Sequence, residues 1–189
     1  MTVQQAKVPI RALRPNVSDS EALRLFNAPS LSNFLWKLRK GPLQRIASAY
    51  VPFALYPVSY QMGRTRVARF FAIDQVDGSL DLFEFPKLIE PHELASIDTP
   101  NRITPSLTDD RTQSLLHEKV LRIVFQQGFF RLQQPELSID PQVLRFNIPY
   151  WLGFYGQDGA LRCRVLDAIR RRMEGEKATL FFEHWLQAD

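Results

Sequence analysis

Two proline-led aromatic stretches constrain this chain more than anything else in it. The first is Tyr50-Val51-Pro52-Phe53-Ala54-Leu55-Tyr56-Pro57-Val58-Ser59-Tyr60, and the second is Asn147-Ile148-Pro149-Tyr150-Trp151-Leu152-Gly153-Phe154-Tyr155. Each opens with a β-branched residue, a proline and an aromatic, and each is followed by a glycine-containing turn and a basic return strand that ends in an aspartate, Asp74 or Asp167. Ile148, Tyr150 and Leu152 occupy the places of Val51, Phe53 and Leu55. Side chains alternate across a strand, so Val51, Phe53 and Leu55 face one way and Tyr50, Ala54 and Tyr56 the other. Both faces are apolar, which predicts a sheet covered on both sides. Pro52 and Pro57 donate nothing to a ladder and predict an edge or irregular strand. From proline to aspartate the spacing differs between the stretches, so any repeat is approximate.

Helix signals precede each hairpin. Ser18-Asp19-Ser20-Glu21 is a capping box that predicts a short helix to about Asn27, stopped before Pro29. Ser30 can cap a second helix, in which Leu31, Phe34, Leu35 and Leu38 form one apolar stripe. Lys37, Arg39 and Lys40 fill its last turn, where the helix dipole favours cations, and Gly41-Pro42 stops it. Thr108, Asp109 and Asp110 mark a third start, with Leu116, Val120, Ile123 and Val124 as its stripe and Gly128 as its end. Ala178, Phe181, Phe182 and Trp185 predict a closing amphipathic helix, with a strand to about Phe182 as the alternative. Asp77-Gly78 reads as a type I′ hairpin turn before a third strand from Leu80 to Phe85, and residues 136–140 as a short strand.

The expected fold class is therefore α+β: antiparallel β-sheets with packing helices, in two related halves, each a helix followed by a β-meander. Residues 1–17 read as an extended arm, 18–86 as the first half, 87–106 as a proline-rich connector with one helical turn near Glu90–Ala95, and 107–189 as the second half.

Composition narrows the class of partner. Apolar residues make up 45% of the chain, enough for a real core. No apolar run is long enough to span a membrane. The N-terminal residues form no apolar signal segment, and one cysteine, Cys163, makes no internal disulfide, so a cytosolic protein is expected. The net charge of +4 is unevenly spread: residues 1–70 carry a net +9 and residues 71–100 a net −6. A basic first third can steer an anionic partner or pair with the acidic stretch that follows.

No catalytic constellation is present. His92-Glu93, His117-Glu118 and Glu183-His184 lack the H-E-x-x-H spacing that sets two zinc ligands on one helix face, so a metal site would need the three histidines to converge in space. Asp74 to Glu84 misplaces the glycine and oxygen ligands of a calcium loop and reads as a hairpin turn. Gly153-Phe154-Tyr155-Gly156 opens no helix and cradles no phosphate. Cys163 alternates with Leu161 and Val165 as a core residue would. No cofactor is expected.

Three functions remain. The first is a non-catalytic binding or protein-interaction module, with a protein partner or a second copy in a homodimer, marked by an exposed apolar patch. The second is a single-stranded nucleic-acid-binding module in which Arg162, Arg164, Arg170, Arg171 and Arg172 hold phosphates beside stacking aromatics. The third is a small-ligand binder or enzyme whose site between the halves is lined by Tyr56, Tyr60, Tyr150, Trp151 and Tyr155.

Overall fold

The structure, a computed structural model, describes residues 8–29, 31–62, 65–126, 137–141, 143–156 and 162–188. Among them are nine strands and four α-helices, an α+β fold. In chain order these are β1 (Val8–Leu13), α1 (Asp19–Asn27), α2 (Leu31–Lys40), β2 (Leu43–Met62), β3 (Thr65–Asp74), β4 (Phe83–Phe85), β5 (Leu94–Thr99), α3 (Asp109–Gln126), β6 (Leu137–Ile139), β7 (Leu144–Tyr155), β8 (Arg162–Asp167), β9 (Arg172–Met173) and α4 (Glu176–Ala188). The sheet is mostly antiparallel, in the order β4-β3-β2-β7-β1-β5, with β6 on β2 and β9 on β8, which pairs with β7.

The chain divides into two compact units that are interleaved in sequence. One comprises residues 1–51, 94–103 and 147–189, the other 52–93 and 104–146.

In the first unit, Phe26 and Tyr155 centre a core with Val17, Ala22 and Leu166, against which Leu25, Trp36, Leu43, Ile46, Trp151 and Met173 pack. The register β7–β8 sets Tyr150 opposite Asp167 and Leu152 opposite Val165. Gly153 is required by close approach: a Cβ there would lie 2.8 Å from the Phe26 ring. The Ser18 cap forms as expected, its Oγ accepting the Glu21 N–H at 3.3 Å, while the Glu21 carboxylate pairs with Arg171. The arm expected at the N-terminus is a strand over Val8–Leu13, antiparallel to β5 from Val8–Thr99 to Leu13–Leu94. The proline-rich connector hides its partner. The helical turn expected there is a 3₁₀ turn, Pro91–Glu93, and it leads directly into β5.

In the second unit, β2 and β3 pair from Phe53–Asp74 to Met62–Thr65. α3 lays Leu116, Val120 and Val124 against Ala54, Tyr56, Val58, Tyr60, Phe71 and Ile73. The helix starts where expected, with the Thr108 Oγ1 accepting the Arg111 N–H at 3.4 Å; Gly128 lies outside the described residues. The turn at Asp77-Gly78 is not type I′. Only Gly78 takes a positive φ, 68°, and Asp77 does not, whereas a type I′ turn needs both. The third strand accordingly begins at Phe83 rather than Leu80.

The two hairpins share local geometry at the residues that drew attention to them. Phe53 faces Asp74 as Tyr150 faces Asp167, and the Pro52 and Pro149 carbonyls accept the N–H of Gln75 (2.9 Å) and Ala168 (3.3 Å). Both aspartates then turn back onto the chain that follows them. Asp74 Oδ1 accepts from Val76, Asp77 and Gly78, and Oδ2 from Leu80. Asp167 Oδ1 accepts from Ile169 and Arg170. A short carboxylate can bond its own downstream backbone, which is why Asp ends both strands.

Candidate functional site

The five aromatics considered for a ligand site are packing residues. Tyr56 and Tyr60 lie in the core of the second unit, and Tyr150 and Tyr155 are equally buried in the first. Tyr150 packs on Phe182 at 5.4 Å between ring centroids. Tyr155 meets Phe26 and Trp36 edge-on and donates its hydroxyl to the Phe26 carbonyl at 3.0 Å. Trp151, partly buried, donates its indole N–H to the Val17 carbonyl at 2.9 Å. The Tyr56 hydroxyl is buried without a partner. Its pKa is raised, first by burial and then by the nearby Asp109 carboxylate.

The five arginines considered for phosphates are engaged inside the first unit. Arg170 sits 3.8 Å from Asp167 and Arg172 3.0 Å from Glu174, while Arg162 is 4.0 Å from Glu183. Arg171, in a left-handed conformation at φ 58°, pairs with Glu21 and donates to the Asn16 carbonyl. Arg164 is buried, with its guanidinium 5.3 Å over the Trp36 ring. Arg171 thus ties its turn to α1, Arg164 ties β8 to α2 and Arg162 ties β8 to α4, while Arg170 and Arg172 pair locally.

His92, His117 and His184 are all exposed. His92 Nδ1 lies 3.2 Å from Glu90. Among the described residues, no three His, Cys, Asp or Glu side chains are grouped to hold a metal ion. The calcium-like segment is spent on its own backbone, since Asp74 is surrounded by four N–H donors. Burial raises the Asp74 and Asp167 carboxyls against these lowering hydrogen bonds. Cys163 is buried, and burial first, then Glu183, pushes its thiol up to about 12, so it has no nucleophilic thiolate near neutrality. An open depression of about 410 Å³ lies over Gln113, Ser114, His117, Glu118 and Ile139. The Ser114 hydroxyl in its lining donates to the Asp110 carbonyl of the same helix at 2.9 Å.

The unexpected feature is α2. Its apolar stripe does not face the core: Phe34 is 64% exposed, Leu35 42% and Leu38 72%. Leu23 of α1 is 46% exposed. The side that packs is carried by Trp36, one residue off the stripe, which meets Tyr155 at 6.2 Å and lies beneath Arg164. Its indole N–H is buried without a partner. Lys37 bonds the Asn27 Oδ1 at 3.0 Å, and Asn27 Nδ2 bonds the Leu23 carbonyl at 3.1 Å, so Asn27 links the Leu23 turn of α1 to α2. Arg24, Arg39 and Lys40 are exposed on the same two helices. Sequence periodicity located the stripe but was silent on its direction. The one available signal was Trp36, the largest apolar residue of the helix, standing outside it.

No family model matches the chain, and no curated protein or solved structure matches it either.

Proposed function

We propose that the chain is a non-catalytic protein-interaction module that docks a partner through the solvent-facing side of α1 and α2. The observation that carries this reading is the exposure of Phe34, Leu35 and Leu38 at i, i+1 and i+4 on one helix, with Leu23 on the other. Scattered exposed apolar residues are ordinary; a contiguous helical face marks an interaction site. Anchors at this spacing are how an amphipathic helix presents itself to a partner.

The nucleic-acid reading has less support. Each arginine it relies on has an internal carboxylate or aromatic partner, and a phosphate would have to compete with it. The small-ligand reading relies on aromatics committed to packing.

The test is quantitative capture from the source cells, with nucleic acid digested, by the natural chain and by a Phe34→Ser/Leu38→Ser chain of equal helix content. A partner held by the first, lost by the second and bound again when purified supports the reading. Identical captured sets overturn it.

A further inference from the structure

Resting on that reading, we infer that the α1–α2 surface takes an acidic amphipathic helix from a different protein. The charge pattern identifies the occupant. No Asp or Glu stands between Glu21 and Asp74, a span that contains the whole of α2 and most of α1. Of the two acids in the first turn of α1, Glu21 is held by Arg171, and Asp19, whose carboxylate accepts the Ser20 N–H at 2.7 Å, stands one helical turn before Leu23. On α2, Arg39 lies one turn beyond Leu35 and Lys40 ends the helix, both exposed, so the α2 anchors share their helix with cations and with no Asp or Glu. A rim of one sign selects a partner of the other and repels its own kind.

That pattern disfavours a second copy of this chain. A symmetric α2–α2 contact would bring the same cations together. The acidic stretch of a second copy is largely committed to internal partners: Glu84 to Arg69, Glu93 to Lys87 and Glu90 to His92. The pattern also fits a bilayer poorly. Trp36, the residue suited to a membrane interface, points inward under Arg164, and the exposed apolar face covers only a ten-residue helix. A helix with Leu or Ile along one face and Glu or Asp flanking it meets both requirements, with its apolar ridge on Phe34, Leu35 and Leu38 and its carboxylates toward Arg39 and the cationic end of α2.

The experiment uses the full chain and three probes: a synthetic Leu/Glu amphipathic helix, a Leu/Lys helix of the same pattern, and phosphatidylserine vesicles. Saturable binding of the Leu/Glu helix alone is expected. Leu38→Ser should weaken it about tenfold, from loss of one buried leucine. Arg39→Glu/Lys40→Glu should weaken it roughly fivefold and reduce its salt dependence. Phe34→Ser serves where Leu38→Ser loses helix content. Leu/Glu binding that falls with Leu38→Ser but ignores the charge reversal overturns the acidic partner and leaves the docking reading standing. So does a cellular partner that depends on Leu38 while no probe binds. Vesicle binding lost on Phe34→Ser overturns both, as does a concentration-dependent dimer abolished by the same change.

Discussion

α2 and α3 begin from the same kind of sequence and end in opposite places. Both carry apolar residues at helical spacing. In α3, Leu116, Val120 and Val124 are at most 3% exposed, because β2 and β3 present Tyr56, Phe71 and Ile73 to them. In α2, Phe34 and Leu38 are more than half exposed, and among the described side chains the helix packs from its other side through the Trp36 indole. Periodicity therefore defines a face, and only the neighbouring layer decides whether that face is core or surface.

The sharpest way to break this comparison is to truncate one leucine on each helix. Leu116→Ala should cost about 2–5 kcal/mol, as burial is lost and a cavity is left against Tyr56 and Phe71. Leu38→Ala should stay within about 0.5 kcal/mol, since little is buried and alanine favours a helix. Urea unfolding of both variants checks this. A Leu38→Ala loss comparable to that of Leu116→Ala would mean that the stripe is core.

Trp36→Ala comes next. The indole is the main apolar hold on α2, and its buried N–H already lacks a partner, which offsets part of its packing energy. The loss should be local: amide exchange across α2 should speed by about tenfold or more while exchange in α3 stays within about twofold. Equal acceleration in both helices would show that α2 is as integral to the fold as α3.

Helix starts and strand pairings also show what the sequence could and could not say. The starts at Ser18 and Thr108 were legible because a cap is a local hydrogen bond, and both hydroxyls accept the N–H three residues on. The ends of the hairpins at Asp74 and Asp167 were legible because proline, aromatic and aspartate each act within a few residues of backbone. The pairing of Val8–Leu13 with Leu94–Thr99 was not. Both segments adjoin prolines and lack clean alternation, and their partnership spans most of the first half of the chain. The candidate site was half legible for the same reason. Phe34, Leu35 and Leu38 could be read as a stripe, but its exposure depends on Trp36 finding Tyr155 and Arg164, far along the chain.

A smaller effect tests the polar links of the two helices. Arg145 grips Asp109, the first residue of α3, with both carboxylate oxygens at 2.6 and 2.7 Å. Asp109→Asn should cost about 0.5–1 kcal/mol, combining a half-exposed ion pair with the loss of a negative charge at a helix N-terminus. The corresponding link of α2, Lys37 to Asn27, joins a cation to a neutral amide near the other end of its helix. Asn27→Ala should cost still less, and thermal melts at low and high salt should show salt sensitivity for the Asp109 pair only.

The smallest expected change concerns Cys163, which reports on the first unit away from α2. Its thiol faces α4, with Sγ 4.0 Å from the Thr179 carbonyl and Glu183 nearby, and its pKa is pushed up to about 12. At pH 8 a free cysteine is partly thiolate, whereas this one is protonated and covered, so labelling by a disulfide reagent should be slow until the chain unfolds. The same shift has a sign for stability. Between the ordinary thiol value of 9.0 and about 12 the unfolded chain releases a proton that the folded chain keeps, so stability falls as pH rises through that window. Trp36→Ala should leave the labelling rate within about twofold of the natural chain, because α4 rather than α2 covers the sulfur. Rapid labelling in that variant would mean that α2 holds the whole unit closed, and its exposed stripe would then belong to a structural clamp.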